Sequence, residues 1–417
     1  MTELRRHYGG AVRFPVGPLW FYLFSDPDLV QEVLVGKADE FNLGRMHRAM
    51  TSIAGDGLFS STGGLHRRQR RIVQPAFHRS AIRTYVAQIE QRTTEMLDRW
   101  EGVERVELVE EMTLLTLDVV TDTILGGDRL EDAGAMYDRM AVGVDRLERM
   151  LTPLGPLLTR LPTRSNRAFD AAIAELRASV EALIARRRDQ GREGEDALWA
   201  LLAATDEEGA PLPDELIRDE LITLVLAGQE TTAIALCWTL WLVAQHPEAD
   251  ERLAEEAQEV PSAESLGGDA LERLPWARQC LEEGMRLYPP AWVVSRTAAR
   301  DTSVGGWDVS RGGNVFTSPW VTHRDPEIWP EPERFDPERF SPDAVEARHR
   351  FAYFPFGGGG RKCVGASLAM VEGTVALAMI ARRVRLGVGE GPSPSPNPQL
   401  TLRPSGPVWM AVEPRVA

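Results

Sequence analysis

Phe356-Gly357-Gly358-Gly359-Gly360-Arg361-Lys362-Cys363-Val364-Gly365 is the stretch from which the rest of the chain can be read. An apolar strand end, Phe354-Pro355-Phe356, runs into four glycines, two cations, one thiol and then an apolar helix. Such a loop brings backbone close to a flat partner and aims one sulfur at it. A thiolate needs nearby positive charge or helix-start amides to stay ionised. Arg361, Lys362 and the helix beginning near Gly365 are placed to supply both. No CxxC pair and no histidine within ten residues completes a zinc set around Cys363. A lone thiolate with an open face suits the axial position of a haem iron.

The 417 residues are 43% hydrophobic and 26% charged, enough for a large core. Length alone allows two or three domains. No interior linker and no repeat divides the chain, so a single domain over 1–417 is expected. Gly387 to Pro398 (GVGEGPSPSPNP) reads as a surface loop before a last hairpin. The net charge of −15 argues against nucleic acid as a partner. Cys237, Cys280 and Cys363 are an odd, sparse set that implies no disulfide framework and suits a reducing cytoplasm. The N-terminal MTELRRHYGGAVRF carries no apolar signal core. Leu221 to Ala244 is apolar almost throughout, but Gln229-Glu230-Thr231-Thr232 interrupts it, and an acid at bilayer depth is costly. A buried central helix of a soluble protein, with no membrane anchor, is the expectation.

Residues 11–24 read as a short hairpin. Helical patterning then predicts helices near 65–78, 80–101, 105–125, 130–150, 165–189, 193–204, 213–245, 247–259 and 272–287. Strand signals return at 293–299, 302–309 and 313–320, with glycines marking turns. A final helix is expected over 365–383 and a last strand pair near 399–413. Many helices beside a small mixed sheet make the fold class mainly α with a minor β region.

Four further constellations carry chemistry. In Gly64-Leu65-His66-Arg67-Arg68-Gln69-Arg70-Arg71, His66 and Arg70 lie four apart and share a helix face, so two donors can hold a pair of carboxylates. Arg67, Arg68, Arg71 and Arg79 form a cationic patch that, in so acidic a chain, invites an acidic partner. In Ala227-Gly228-Gln229-Glu230-Thr231-Thr232, a Thr hydroxyl can capture a carbonyl of the preceding turn and open the helix. Gly228 would leave room for a small ligand, and Glu230 and Thr231 are the parts of a short proton relay. Glu283 and Arg286, three apart on a helix, can form a buried network with a second arginine. Downstream, Pro-Glu-Arg-Phe occurs twice, at 332–335 and 337–340, and carries Arg334 and Arg339. Finally, Trp292-Val293-Val294-Ser295-Arg296 opens an apolar strand after a double proline.

Together these motifs resemble the cytochrome P450 family. The pattern Phe-x-x-Gly-x-Arg-x-Cys-x-Gly is met at Phe356, Gly359, Arg361, Cys363 and Gly365, and the other motifs, with Thr322-His323-Arg324-Asp325-Pro326, follow in the family's order over most of the chain. The resemblance implies a single-domain fold holding haem b between the long central helix and the Cys loop, with Cys363 as axial ligand of the iron. It implies that His66, Arg70 and Arg296 bind the haem propionates, and that Ala227, Phe356, Gly359, Arg361 and Gly365 line the haem. It makes Thr231 and Glu230 the proton-delivering pair, and Glu283, Arg286 and Arg339 a structural network, Arg339 being chosen by the family's usual order. Substrate would meet Leu224, Ala291, Trp292, Val293 and Val294, with further walls from 43–59 and 150–163. Those walls are mostly apolar, which points to a lipophilic molecule such as a terpenoid or other secondary metabolite, with fatty acid or polyketide as alternatives. Bacterial members often carry His where this chain has Arg361. The implied activity is that of a cytoplasmic, monomeric monooxygenase using O2 and two electrons. Those electrons come from NAD(P)H through a separate ferredoxin or flavodoxin-type donor, since no redox module is fused. A peroxide-driven peroxygenase or a haem-thiolate isomerase would need no reductase, but such relatives usually lose the acid–Thr pair kept here. A non-enzymatic haem binder would leave that pair idle.

Overall fold

A computed structural model describes residues 1–17, 19–128, 158–159, 161, 163–191, 194, 196–205, 209–260, 270–389 and 391–415. Its long helices are α1 (Gly63–Val73), α2 (Arg79–Arg99), α3 (Leu108–Ile124), α4 (Arg164–Gln190), α5 (Asp214–Val243), α6 (Pro247–Glu259), α7 (Pro275–Leu287) and α8 (Ala366–Arg383). The strands are β1 (Ala11–Val16), β2 (Leu19–Phe24), β3 (Phe41–Leu43), β4 (Arg105–Glu107), β5 (Val294–Ala298), β6 (Thr302–Val304), β7 (Trp307–Val309) and β8 (Asn314–Thr317). They continue with β9 (Val384–Val388), β10 (Pro396–Pro398), β11 (Leu402–Pro404) and β12 (Trp409–Pro414).

Helix α5 is the axis of the molecule. Its apolar run has no polar face to show to water, so it is covered by other helices, most extensively by α3. Its most apolar 18-residue window is 72% buried. Helix α8 packs on α2 and α7. The main sheet runs β1-β2-β8-β5-β3, with β2 and β8 parallel and its other pairs antiparallel. A second sheet runs β4-β12-β9, and β6-β7 and β10-β11 are separate ribbons.

The two larger apolar clusters follow from this division; a small third one holds Trp329, Phe340 and Ala352. The helical one contains Met112, Trp238 and Leu377, and the sheet-side one Tyr22, Phe24, Val315, Phe351 and Phe354. The Cys363 loop sits where they meet. Phe351 and Phe354, which precede it, belong to the sheet-side cluster, whereas Phe356 and Val364 pack on the helical one. The loop is therefore clamped by both halves of the core.

The hairpin over 11–24 and the central helix stand where the sequence put them. Several boundaries differ. The helix expected from 65 stops at Val73, because Pro75 allows only a tight turn over Gln74–Phe77. The one expected from 105 starts as β4, and Glu107 caps α3 by accepting from Val109 N (3.3 Å) and Glu110 N (2.7 Å). Pro275 restarts the helix expected from 272. The stretch 302–309 is a ribbon rather than one strand, and 313–320 ends in a helical turn at Pro319–Thr322. The last strand pair is a correction: β11 and β12 do not pair with each other. β11 pairs with β10, and β12 with β9 and β4, so Gly387 to Pro398 contains sheet rather than only loop. Pro396 and Pro398 donate no ladder bonds and hid an edge strand. The helix expected over 130–150 lies outside the described residues.

Candidate active site

The Cys loop is built by backbone bonds. Gly357 N donates to Phe354 O (2.9 Å), Lys362 N to Gly359 O (3.1 Å) and Cys363 N to Phe356 O (3.0 Å). Gly359 has φ +65°, and a Cβ there would lie 2.1 Å from Leu34 O, so only glycine fits. A Cβ at Gly365 would meet nothing closer than Phe77 Cε1 at 3.6 Å, with Cys363 Sγ at 4.0 Å. Protein contacts therefore do not demand glycine at that position. Cys363 keeps accessible surface yet is densely surrounded by protein. Burial pushes its thiol up, and the Gly365 amide, Arg70 and Lys362 pull it back only in part. Arg361 is not among these supports, contrary to the sequence reading. Its guanidinium turns to Leu58 O (3.4 Å) and Ser61 O.

Around the loop lies a cluster of cations without acids. Arg70 donates to Lys362 O at 2.7 Å, which fastens α1 to the Cys loop. Arg296, in β5, is 8% exposed and donates to Ser295 O at 3.0 Å. Neither Arg70, Arg296 nor Arg361 has an ion-pair partner among the described residues. Burial, then Arg361, lower Arg296 to about 10. Burial, then Arg70, lower Arg361 to about 10. His66, buried on α1, is pushed down to about 4 by burial and then by Arg361, Arg70 and Arg67. Unpaired, mutually repelling cations in a low-dielectric setting are costly unless an anion joins them. A haem's two carboxylates are such an anion pair, its iron takes a thiolate, and Ala227 is exposed in the middle of α5, between buried turns. The residues present fit the group.

Glu230 and Thr231, expected from the sequence as a proton relay, sit on α5, which runs unbroken from Asp214 to Val243 instead of opening. Thr231 Oγ1 donates to Ala227 O at 2.7 Å, and Thr116 Oγ1 of α3 donates to Gln229 O at 3.0 Å. A Cβ at Gly228 would meet Val120 Cγ2 at 3.0 Å. That glycine therefore serves packing on α3, and Ala227 is the residue with open surface. Glu230 Oε1 accepts from Thr401 Oγ1 and Arg403 Nε, each at 2.7 Å. These two partners were missed in the sequence, where their ribbon read as a plain terminal hairpin.

Glu283 and Arg286 are fully buried and bidentate, at 2.6 and 2.8 Å. Arg286 also donates to His323 O (2.8 Å), Pro332 O (2.6 Å) and Arg334 O (3.0 Å). Arg339 Nε lies 3.6 Å from Glu283 Oε1, whereas the Arg334 guanidinium faces Glu331 in solvent. His323 Nε2 accepts from Phe354 N at 3.0 Å, which carries the network into the segment entering the Cys loop; that segment is irregular backbone and a turn, not the strand end expected from the sequence.

Of the expected substrate wall, Ala291 is exposed, Trp292, Val293 and Val294 are half-buried, and Leu224 is buried in the helical core. Most of 150–163 lies outside the described residues. The loop over 54–61 is strapped to α5: Asp56 N donates to Asp219 and Leu58 N to Glu220, each at 3.0 Å. A cleft of about 510 Å³ lined by Trp100, Arg382, Arg383 and Arg415 includes none of these site residues. On α1, Arg67 and Arg71 are exposed, while Arg79 is paired with Glu272 at 2.8 Å.

The chain matches the Cytochrome P450 family over residues 1–410. It is 37% identical to cyclooctatin synthase of Streptomyces melanosporofaciens over 98% of this chain and 89% of the relative. It is 36% identical to cyclooctat-9-en-7-ol 5-monooxygenase of the same organism, over 91% and 83%. Its fold superposes on a crystal structure of the cytochrome P450DA heme domain with a TM-score of 0.89 at 27% identity, covering 100% of this chain and 92% of that one.

Proposed function

The chain belongs to the cytochrome P450 family, and we propose that, within it, this monooxygenase oxidises a cyclic terpenoid in the cytoplasm with electrons from a small acidic ferredoxin. The observation that carries the substrate reading is the likeness, over most of both chains, to two relatives named for cyclooctatin chemistry. The small apolar side chains of Ala227, Ala291, Val293 and Val294 support it, since a terpene presents mostly C–H surface.

When bound, haem supplies the activation of O2, with the overall balance that substrate, O2, two electrons and two protons give alcohol and water. The chain's residues do the rest. Cys363 Sγ would hold the iron as thiolate, and the Gly365 amide, Arg70 and Lys362 favour that charge. Arg70 and Arg296 would neutralise the two carboxylates, His66 as a neutral imidazole would donate a hydrogen bond to one of them, and Arg361 closes the cluster from the strap side. Thr231 Oγ1, now donating to Ala227 O, holds a proton beside the open face of α5, and Glu230 brings protons from outside. The apolar wall keeps bulk water from the reacting C–H bond. Arg67, Arg71 and Lys362 form an exposed cationic rim that suits an acidic donor.

Titration of the purified protein with cyclooctat-9-en-7-ol and a matched panel of fatty acids tests the substrate reading. A high-spin shift saturating in the micromolar range with the terpenoid alone is expected. Shifts with fatty acids alone would replace it.

A further inference from the structure

Glu230 is held from outside its own helix. Both of its hydrogen bonds, from Thr401 and Arg403, converge on Oε1, and Oε2 takes none among the described residues. The ion pair is partly enclosed, with Glu230 12% and Arg403 26% exposed. Thr401 lies in the turn of the β10–β11 ribbon and Arg403 in β11. The same ribbon is fastened to the substrate wall: Trp292 Nε1 donates to Gln399 O at 2.9 Å, and Leu402 N to Pro290 O at 3.0 Å. Trp238 Nε1 of α5 in turn donates to Leu402 O at 2.8 Å. A two-stranded ribbon has little stability of its own, so these bonds set its place. Displacing its turn moves the partners of Glu230 with it. The charge-assisted bond from Arg403 is the stronger and more directional of the two.

We propose that Arg403 is a positioning residue for proton delivery. With Thr401 it fixes which oxygen of Glu230 is free to carry a proton, and through the β10–β11 ribbon it links that carboxylate to the substrate wall at Trp292. The proposal rests on the reading of Glu230 and Thr231 as the proton relay. Glu230 takes a proton at Oε2 and passes one on, with no change in its own oxidation state.

Substrate-free turnover with a surrogate ferredoxin and its reductase gives a test that needs no known substrate. O2 with two electrons and two protons leaves as hydrogen peroxide, and with four of each as water. The peroxide-to-water ratio therefore reads proton delivery. Arg403→Gln should raise this ratio roughly threefold or more, Arg403→Lys should recover part of it, and Thr401→Val should raise it less. Trp292→Phe, which cuts the bond to Gln399, should move it in the same direction. Amide hydrogen exchange over 399–402 should quicken in both Arg403→Gln and Glu230→Gln, while the carbon monoxide band keeps its position. If Glu230→Gln itself leaves the ratio unchanged, the relay reading falls and this proposal with it. If Glu230→Gln raises the ratio but Arg403→Gln and Thr401→Val do not, the relay stands and the positioning role is overturned. An unchanged ratio in Trp292→Phe overturns the link to the wall. Should Arg403→Gln lose the carbon monoxide band, Thr401→Val, which removes no charge, decides between these outcomes.

Discussion

Arg296 shows what a single residue reveals about its missing neighbour. A buried guanidinium whose one side-chain bond goes to the adjacent carbonyl, and which Arg361 repels, is a site prepared for an anion. If a haem carboxylate is that anion, Arg296→Leu strips its partner, at a cost of roughly 2–5 kcal/mol. Haem transfer to apomyoglobin should then quicken by about tenfold or more. An unchanged rate would mean that Arg296 holds no haem carboxylate. Cys363, His66, Arg70 and the acid–Thr pair could be singled out as candidates in the sequence because each lies in a short motif whose spacing survives folding; their roles are our proposal. Arg403 was not legible. Its partner is 173 residues away, and nothing local marks an arginine in a proline-rich ribbon as bound to the central helix.

Among elements, the strap over 54–61 ties the Cys loop to the central helix. Arg361 donates to its carbonyls while Asp219 and Glu220 accept from its amides. A Cβ at Gly55 would fall 1.9 Å from Asp219 Oδ2, so the approach is tight. Burial pushes Glu220 up from 4.5 to about 7, opposed by the Leu58 amide and assisted by Asp219. The folded value lies above the unfolded one, so the folded protein binds the extra proton. Stability from this group is therefore present below pH 4.5 and lost as pH rises through about 7. Glu220→Gln should match wild type near pH 4 and exceed it by about 3 kcal/mol above pH 7. Denaturant midpoints at the two pH values check this, and a gap independent of pH would contradict it. The helices were legible because 3.6-residue periodicity is local. The pairing of β9 with β12 and of β10 with β11 was not, since strand pairing across distant residues leaves no local period to read.

At the scale of the whole molecule, two cores meet along one line, and the Cys loop lies on it. The sheet-side core anchors Phe351 and Phe354, the helical core anchors Phe356 and Val364, and the Glu283–Arg286 network reaches the loop through His323. The arrangement explains why a flexible glycine run can still present one sulfur in a fixed direction. It also leaves Arg67, Arg71 and Lys362 exposed as a cationic rim beside the loop of a chain whose net charge is −15, the face on which the proposed acidic donor would dock. Everything in this account converges on Cys363 Sγ. The most direct test is the difference spectrum of dithionite-reduced protein with and without carbon monoxide, for wild type and Cys363→Ser. A strongly red-shifted Soret band in wild type that vanishes in the variant is the expected result. A band at the position of histidine-ligated haem in wild type, or a red-shifted band that survives in Cys363→Ser, would contradict it.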